Sequence, residues 1–194
     1  MIRARGLGRR FGETRALQGL DFELERGGLL VVTGPNGSGK TTLLRLCAGL
    51  YAPTSGELEV DVDRGALGYL GHEPLLYREL TALENLELYG RLYRVPERRE
   101  RIGMLLERFG LWDARAQRAG SFSRGMLQRL ALCRTFLHRP ELLILDEPYN
   151  ALDTAGGELL DRELAELRPE RTLLVATHDA ARLEPLKPAR LALA

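Results

Sequence analysis

The sequence predicts an α/β fold with a mostly parallel sheet, a small antiparallel β subdomain and an inserted helical subdomain. Residues 29–33 are continuously apolar, as in a strand buried on both faces of a parallel sheet, and a helical pattern follows at residues 41–50. Further buried strands are predicted at residues 141–145 and 172–177, each bounded by helical stretches. Such alternation of strands and helices is typical of a parallel α/β core.

Two other segments predict the smaller parts of the fold. Residues 19–25 alternate apolar and polar side chains with a period of two, which indicates a half-exposed strand in an antiparallel sheet. Residues 81–138 show helical patterns only, and they begin with Thr81 and Glu84 at the spacing of a capping box. We therefore expect a helical lobe, at about residues 75–138, to interrupt the sheet.

The composition suits one globular domain over residues 1–194, because a chain of this length with 44% hydrophobic content can bury a core. The net charge is only +1, and arginine is interspersed with glutamate at residues 97–101. That arrangement indicates a solvated helical face rather than a nucleic-acid patch. No nucleic-acid partner is therefore expected.

The cysteines and the hydropathy indicate the compartment. Cys47 and Cys133 each lie in an apolar helical pattern, which favours buried free thiols in a reducing environment. No segment approaches the roughly 18 uninterrupted apolar residues of a membrane span, and the N-terminus lacks an apolar stretch behind a basic start. A cytoplasmic location is the resulting expectation.

The strongest chemical signal is a phosphate-binding loop between the predicted strand at residues 29–33 and the helix that follows. It comprises Gly34, Pro35, Asn36, Gly37, Ser38, Gly39, Lys40, Thr41 and Thr42. Glycines let backbone N–H groups approach the phosphates, and the helix N-terminus adds a favourable dipole. Lys40 is expected to reach the β- and γ-phosphates, and the Thr41 hydroxyl to bind Mg²⁺. The loop therefore predicts a P-loop NTPase core that binds ATP and Mg²⁺.

A second signal is the pair of carboxylates, Asp146 and Glu147, that follows the apolar run at residues 141–145. Successive side chains of a strand point to opposite sides, so Asp146 can face Mg²⁺ while Glu147 polarises the attacking water. Taken alone, the same pattern is also typical of an ordinary turn at the end of a strand. The pair gains its catalytic interpretation only in combination with the phosphate loop.

Residues 121–129, Ser-Phe-Ser-Arg-Gly-Met-Leu-Gln-Arg, lie just before the carboxylate strand and resemble the signature sequence of the ABC ATPase family. The resemblance spans nearly the whole chain. It implies that Phe11 stacks on adenine, that residues 150–153 form the D-loop, and that His178 is the switch histidine. Taken individually, each of the three also has a purely structural interpretation: an aromatic residue of the core, a turn that starts a helix, and a histidine at the end of a strand. Their order along the chain matches that of the family.

The resemblance also implies a partner for the ATP site. In this family the signature of one subunit caps the ATP held by another, so Ser123 and Gly125 would contact the γ-phosphate across a dimer interface. The second subunit would be another copy of this chain or a homologous ATPase. A helix N-terminus delivered in this way stabilises charge on the transferred phosphoryl group. With Lys40 and Glu147, His178 completes the predicted catalytic set.

Two positions depart from the family pattern. Met126 stands where the signature commonly has glutamine, but Ser123 and Gly125 are kept. His72 stands where the family has a glutamine that touches Mg²⁺ and relays the nucleotide state to the membrane partner. His72 is therefore a candidate metal ligand, with a hydrogen bond inside its own loop as the open alternative.

Residues 71–86 are similar to the corresponding region of the haem-exporter ATPases of cytochrome c maturation, and the short chain fits that subfamily. This implies an ATPase that powers haem export through an integral membrane subunit, on the cytoplasmic face of the inner membrane. The short apolar cluster at residues 75–77 would be the docking surface for that subunit or part of the core.

Three alternative functions fit the sequence less well than transport does. An ABC-type ATPase acting on nucleic acid would carry long coiled coils between Thr42 and Ser123, where none fits, and a ribosomal one would carry two cassettes. A small kinase would account for Lys40 and Asp146, but it would leave the signature and His178 unexplained. A transporter ATPase is therefore the favoured function.

Overall fold

The computed structural model describes residues 1–193, which fold into two sheets with helices on both faces of the larger one. In chain order the elements are β1 (Ile2–Phe11), β2 (Thr14–Leu24), β3 (Leu29–Thr33), α1 (Lys40–Cys47), β4 (Ser55–Val60), β5 (Leu67–Leu70), α2 (Ala82–Leu92), α3 (Arg98–Arg108), α4 (Arg124–Phe136), β6 (Leu142–Asp146), α5 (Thr154–Leu167), β7 (Thr172–Ala176) and β8 (Ala189–Ala192). Short 3₁₀ helices occur at Arg64–Ala66, Ala119–Ser121 and Ala180–Leu186.

The larger sheet has the strand order β5-β6-β7-β3-β8, and its described strand pairs are all parallel. The central strands β6 and β7 are buried at every residue, and β3 is buried at all but its last. Alternate residues of these strands enter two separate apolar clusters on the two faces of the sheet. Burial on both faces explains why these strands are continuously apolar in sequence. The α/β prediction is confirmed.

The smaller sheet is antiparallel, with the order β2-β1-β4, and it packs through Ile2, Leu7 and Leu24 against α1 and one face of the parallel sheet. The predicted strand at residues 19–25 is the second half of β2. Register shifts interrupt the pairing of β1 with both neighbours. These irregularities break the period-two pattern, which explains why β1 and β4 were not predicted.

Residues 81–138 are helical except for turns and a single bridge between Thr81 and Arg118. The capping box is present in both directions, because Thr81 Oγ1 accepts from the Glu84 N–H and the Glu84 carboxylate accepts from the Thr81 N–H. The helix α4 packs on the sheet, where its apolar residues join the same cluster as β6 and β7. Among residues 1–193, no helix has the length and apolar character needed to cross a membrane.

Candidate functional site

The phosphate loop connects the carboxyl end of β3 to α1, at the same sheet edge where β6 and β7 end. Gly39 stands at the N-terminus of α1 with a left-handed φ of 95°. A Cβ atom at this position would overlap the carbonyl oxygen of Ala16. Only glycine therefore fits here, and its backbone lies close against β2.

Lys40 closes this loop. Its side chain is buried, and Nζ donates to the carbonyl oxygens of Gly34 at 2.7 Å and Pro35 at 3.0 Å. Lys40 is the first residue of α1, so its ammonium group lies where the positive end of the helix dipole faces the loop. A single cation and the helix N-terminus therefore act on the same small region, which favours an anion.

A cleft of about 570 Å³ brings most of the predicted site together. The predicted residues that line it are Asn36, Gly37, Gly39, Lys40, Thr41, Thr42, His72, Asp146, Glu147 and His178. The other lining residues come from β2 and from the loop after β6. The cleft thus combines backbone N–H groups, the Lys40 ammonium group, the Arg15 guanidinium group, two carboxylates and two imidazoles, which is a set suited to binding and cleaving a nucleoside triphosphate.

Asp146 ends β6 and is 3% exposed. Its Oδ2 atom is buried and has no hydrogen-bond partner among the described residues. An unpartnered buried carboxylate oxygen that faces a cleft fits a cation, and Mg²⁺ is usually held by one or two carboxylates together with substrate phosphates. Residues 1–193 contain no cluster of three or more acidic, histidine or cysteine side chains for a metal. Thr41, Asp146 and His72 nevertheless line the same cleft.

Glu147 has a left-handed φ of 48°, a conformation that costs a residue with a side chain about 1–2 kcal/mol. Its N–H donates to the Ala176 carbonyl at 2.8 Å, and its Oε2 accepts from the His178 N–H at 3.2 Å. The His178 Nε2 atom lies 3.2 Å from Oε1 of the same carboxylate, outside hydrogen-bond geometry. The pairing of β6 with β7 therefore places the carboxylate and the imidazole side by side.

Ser123 and Gly125 lie outside this cleft. Ser123 caps α4, with its Oγ accepting from the Met126 N–H at 3.2 Å, and the residue is exposed. A Cβ atom on Gly125 would lie 2.8 Å from the Ala151 carbonyl oxygen, so the first turn of α4 packs on the loop after β6. The structure does not bring these two residues to the phosphate loop of the same chain.

A second cavity, of about 320 Å³, lies between α4 and the loop after β6. Asp146, Glu147 and His72 line both this cavity and the cleft. Gln128 is also part of its wall, and its Nε2 donates to the Pro148 carbonyl at 2.9 Å. The loop that contains His72 therefore borders both the phosphate-binding cleft and the helical region. Gln128 is a residue of this second cavity that the sequence patterns had not identified.

Phe11 is at the end of β1 and is 40% exposed. Its ring packs edge-on against Tyr51, with centroids 5.3 Å apart, and the Arg9 guanidinium lies 4.6 Å above it. Phe11 is not among the residues that line the cleft, and neither are Gly34, Pro35 and Ser38. The stacking of Phe11 on adenine stays a prediction.

The loop after His72 is held by two residues that sequence patterns had not identified. Asn85 is fully buried in α2, and its side chain bonds both the N–H and the carbonyl of Tyr77. The Tyr89 hydroxyl donates to the Leu75 carbonyl at 2.6 Å. Leu75 and Tyr77 are exposed, whereas Leu76 packs against the core, so the apolar cluster at residues 75–77 divides between surface and core. An asparagine inside the apolar stripe of α2 was the available signal.

Comparison with known proteins supports this assignment. The family model described as "ABC transporter" matches residues 17–150. The uncharacterized ABC transporter ATP-binding protein YxlF of Bacillus subtilis is 40% identical over 92% of this chain and 62% of its own length. The daunorubicin resistance ATP-binding protein DrrA3 of Streptomyces coeruleorubidus is 40% identical over 89% of this chain and 58% of its own length. The cytochrome c biogenesis ATP-binding export protein CcmA of Pseudomonas putida is 39% identical over 86% of this chain and 83% of its own length. The chain spans about three fifths of the length of the first two.

Solved structures give the same picture. An ATP-binding subunit of an ABC transporter superposes with a TM-score of 0.91 at 27% identity, over 99% of this chain and 85% of that one. The ATP-binding cassette MJ0796, in a dimeric post-hydrolysis state bound to ADP and Pi, superposes with a TM-score of 0.84 at 30% identity, over 94% and 90%.

Proposed function

This chain belongs to the ABC transporter family as an ABC-type ATPase, and from that premise we propose that it binds MgATP in the described cleft and powers an integral membrane partner. The observation that carries the proposal is the convergence of Lys40, Asp146, Glu147 and His178 on one cleft. These four side chains come from three separate stretches of sequence, and each suits one part of phosphoryl transfer.

Each residue has a distinct proposed role. The loop N–H groups and Lys40 bind the phosphates, while Thr41 and Asp146 hold Mg²⁺, which screens charge on the β- and γ-phosphates when bound. Glu147 accepts a proton from the water that attacks the γ-phosphorus, and His178 orients that carboxylate through the contacts at 3.2 Å. His72 is a further candidate ligand because it lines the same cleft.

We further propose that the active form is a dimer in which Ser123 and Gly125 of one subunit cap the ATP held by the other. Ser123 is exposed at the N-terminus of α4 and lies outside the cleft of its own chain. A helix N-terminus of this kind binds anions. The dimeric state of MJ0796 bound to ADP and Pi supports the same arrangement here.

Glu147→Gln tests this function. The variant should lose ATP turnover yet bind ATP and dimerise in MgATP, because it removes the base and keeps Lys40, Thr41 and Asp146. Light scattering measures the dimer, and a coupled phosphate assay measures turnover. Glu141→Gln is the matched control, since Glu141 is exposed just before the same strand and pairs with Arg26. A Glu147→Gln protein that binds ATP but stays monomeric would refute the sandwich.

Ser123→Arg tests the capping role separately. Bulk and charge at this position should prevent closure of the dimer, so turnover should be lost while the monomer keeps its affinity for ATP. Fluorescence titration with a labelled nucleotide measures that affinity. Hydrolysis at the wild-type rate would remove the assignment of residues 121–129 as a capping element.

The membrane partner is proposed to dock beside the His72 loop, on the cytoplasmic face of the inner membrane. Tyr77 is 52% exposed and lies next to a loop that borders the nucleotide cleft. Tyr77→Glu should release the chain from membranes without unfolding it, whereas Leu76→Glu should unfold it because Leu76 packs on the core. Membrane fractionation and circular dichroism distinguish the two results. A folded Tyr77→Glu protein that stays on membranes would contradict this docking site.

Haem is the cargo that we propose to test first. Residues 71–86 resemble haem-exporter ATPases, and the chain spans 83% of the length of a CcmA. Relatives at similar identity are named for daunorubicin resistance and bacitracin transport, so cargo assays need those classes as comparators. We expect haem to stimulate ATP turnover in the copurified membrane complex, and we expect daunorubicin and bacitracin to have no effect. Action on nucleic acid or the ribosome is not favoured, because the matched family is that of ABC transporters.

A further inference from the structure

Three side chains outside the cleft join the two loops that carry Glu147 and His178. Tyr149 lies two residues after Glu147, Asp161 lies in the middle of α5, and Arg182 lies four residues after His178. The Tyr149 hydroxyl donates to Asp161 Oδ1 at 2.8 Å. Arg182 donates to both oxygens of the same carboxylate, from Nε at 3.3 Å and from Nη2 at 2.7 Å. We call these three residues the α5 clamp.

The α5 clamp is a closed arrangement rather than a chain of loose surface contacts. The guanidinium of Arg182 also lies 5.0 Å from the centre of the Tyr149 ring, so the tyrosine and the arginine touch each other as well as Asp161. A Cβ atom on Gly157 would lie 2.8 Å from Arg182 Nη2, so the missing side chain leaves room for Arg182 to cross α5. Each member is therefore held by the other two.

The ionisation states suit this arrangement. Burial, followed by the hydrogen bond to Asp161, raises the pKa of Tyr149. The hydrogen bond to Asp161 raises the pKa of Arg182. Tyr149 therefore stays a hydrogen-bond donor and Arg182 stays charged at neutral pH. A bidentate contact between arginine and carboxylate is geometrically specific as well as strong.

We infer that Tyr149, Asp161 and Arg182 are positioning residues for ATP hydrolysis, which hold the Glu147 loop and the His178 loop at a fixed separation on α5. This inference rests on the proposed function of the cleft. None of the three residues lines the cleft, so they act through Glu147 and His178 rather than on ATP.

The reason such a clamp is needed lies in the Glu147 loop itself. Glu147 and Ala151 both have left-handed φ values, of 48° and 62°, which residues with side chains rarely adopt. A loop of this kind persists only where its surroundings hold it. On the cleft side the carboxylate is held by the His178 N–H, and on the other side the loop is held through Tyr149. Because misplacement of a catalytic group by about 1 Å can cost roughly a hundredfold in rate, both attachments affect turnover.

Kinetics on the full chain test the inference. Tyr149→Phe removes only the hydroxyl and keeps the ring, so we expect kcat to fall roughly tenfold, the factor that corresponds to one hydrogen bond of ordinary strength. The KM for ATP should stay within about twofold, because the phosphate loop is untouched. Arg182→Met should lower kcat further, and Arg182→Lys should restore part of it, since lysine keeps the charge but not the fork.

Arg98→Met is the matched control. Arg98 pairs with Glu87 at 2.7 Å, and its side chain is as exposed as that of Arg182, at 28% against 27%. The pair joins α2 to α3, and neither residue lines the cleft that contains Glu147. This variant should keep the wild-type kcat even if it lowers the melting temperature by the same amount as Arg182→Met. If kcat fell in proportion to the melting temperature in every variant, including Arg98→Met, the inference would be overturned.

Hydrogen exchange gives a readout that does not depend on turnover. In Tyr149→Phe and Arg182→Met, amides at residues 147–153 and at residues 177–183 should both exchange faster, whereas Arg98→Met should change neither segment. Acceleration in only one segment would show that the two loops are not joined through α5. ATP turnover by the wild-type chain tests the proposed function itself. If the wild type is active and Tyr149→Phe has the same kcat, the α5 clamp is refuted and the proposed function is not.

Discussion

Replacing Asn85 by alanine tests how the loop that carries His72 is attached to the helical region. Asn85 is fully buried in α2 and forms four hydrogen bonds with the backbone of residues 77–81. Its Oδ1 accepts from the Tyr77 N–H at 2.8 Å, and its Nδ2 donates to the carbonyls of Tyr77, Leu80 and Thr81 at 2.9, 3.3 and 2.9 Å. One amide therefore holds this whole turn.

The expected cost follows from which backbone groups keep another partner. The Leu80 carbonyl still accepts from the Ala119 N–H, and the Thr81 carbonyl still accepts from the N–H of residue 85. The Tyr77 carbonyl also still accepts from the Leu80 N–H, so only the Tyr77 N–H loses its partner. Leaving one buried polar group unpaired costs about 1–3 kcal/mol, so we expect Asn85→Ala to lower the free energy of unfolding by about 2 kcal/mol. For a chain of this size the Tm should fall by roughly 4–8 °C.

Thermal and urea unfolding followed by circular dichroism measure this change. Thr81→Ala is the graded control, because it removes one solvent-exposed capping hydrogen bond at the start of the same helix and should cost about 1 kcal/mol. If Asn85→Ala costs no more than Thr81→Ala, then Asn85 does not hold the turn as argued. Faster hydrogen exchange at residues 71–81 in Asn85→Ala alone would support the attachment directly.

Two further predictions concern buried titratable groups. Burial raises the pKa of Glu163 above its ordinary value of 4.5 despite its ion pair with Arg108 at 2.6 Å, so the native state holds a proton that the unfolded chain releases. The stability of the wild type relative to Glu163→Gln should therefore be greatest below about pH 4.5 and should decline as the pH rises through the folded pKa of Glu163. Urea titrations at several pH values measure this difference, and Glu166→Gln is the control because Glu166 pairs with the same arginine. A stability difference that grows with pH would contradict the prediction. Burial raises the pKa of the Cys47 thiol to about 12, and burial also raises the pKa of the Cys133 thiol. A thiol reagent should therefore label neither cysteine in the native protein and both in denaturant. Rapid native labelling followed by mass spectrometry would contradict it.

Strands that are buried on both faces were well predicted. The structure gives β3 the predicted bounds, and it shifts or shortens β6 and β7 by no more than one residue at either end. These strands lie inside the sheet, so each residue must be apolar whichever face it points to. The edge strand β8 is mostly exposed, and β5 is only four residues long. With four residues each, both strands are too short for a sequence pattern to distinguish them from loops, and their pairing depends on strands far away in sequence.

The chemistry carried by a few consecutive residues can be read directly from the amino-acid sequence. The phosphate loop, the adjacent carboxylates Asp146 and Glu147, and the cap of α2 are local, because glycine conformation, side-chain alternation and capping act over one turn of chain. Contacts between residues that are far apart in the chain follow instead from the tertiary fold. It placed His178 against Glu147, joined Tyr149 to Arg182 through Asp161, and left Phe11 outside the cleft lining. The order β5-β6-β7-β3-β8 sets which strand ends are neighbours, and that order arises from packing of the whole core rather than from any local pattern.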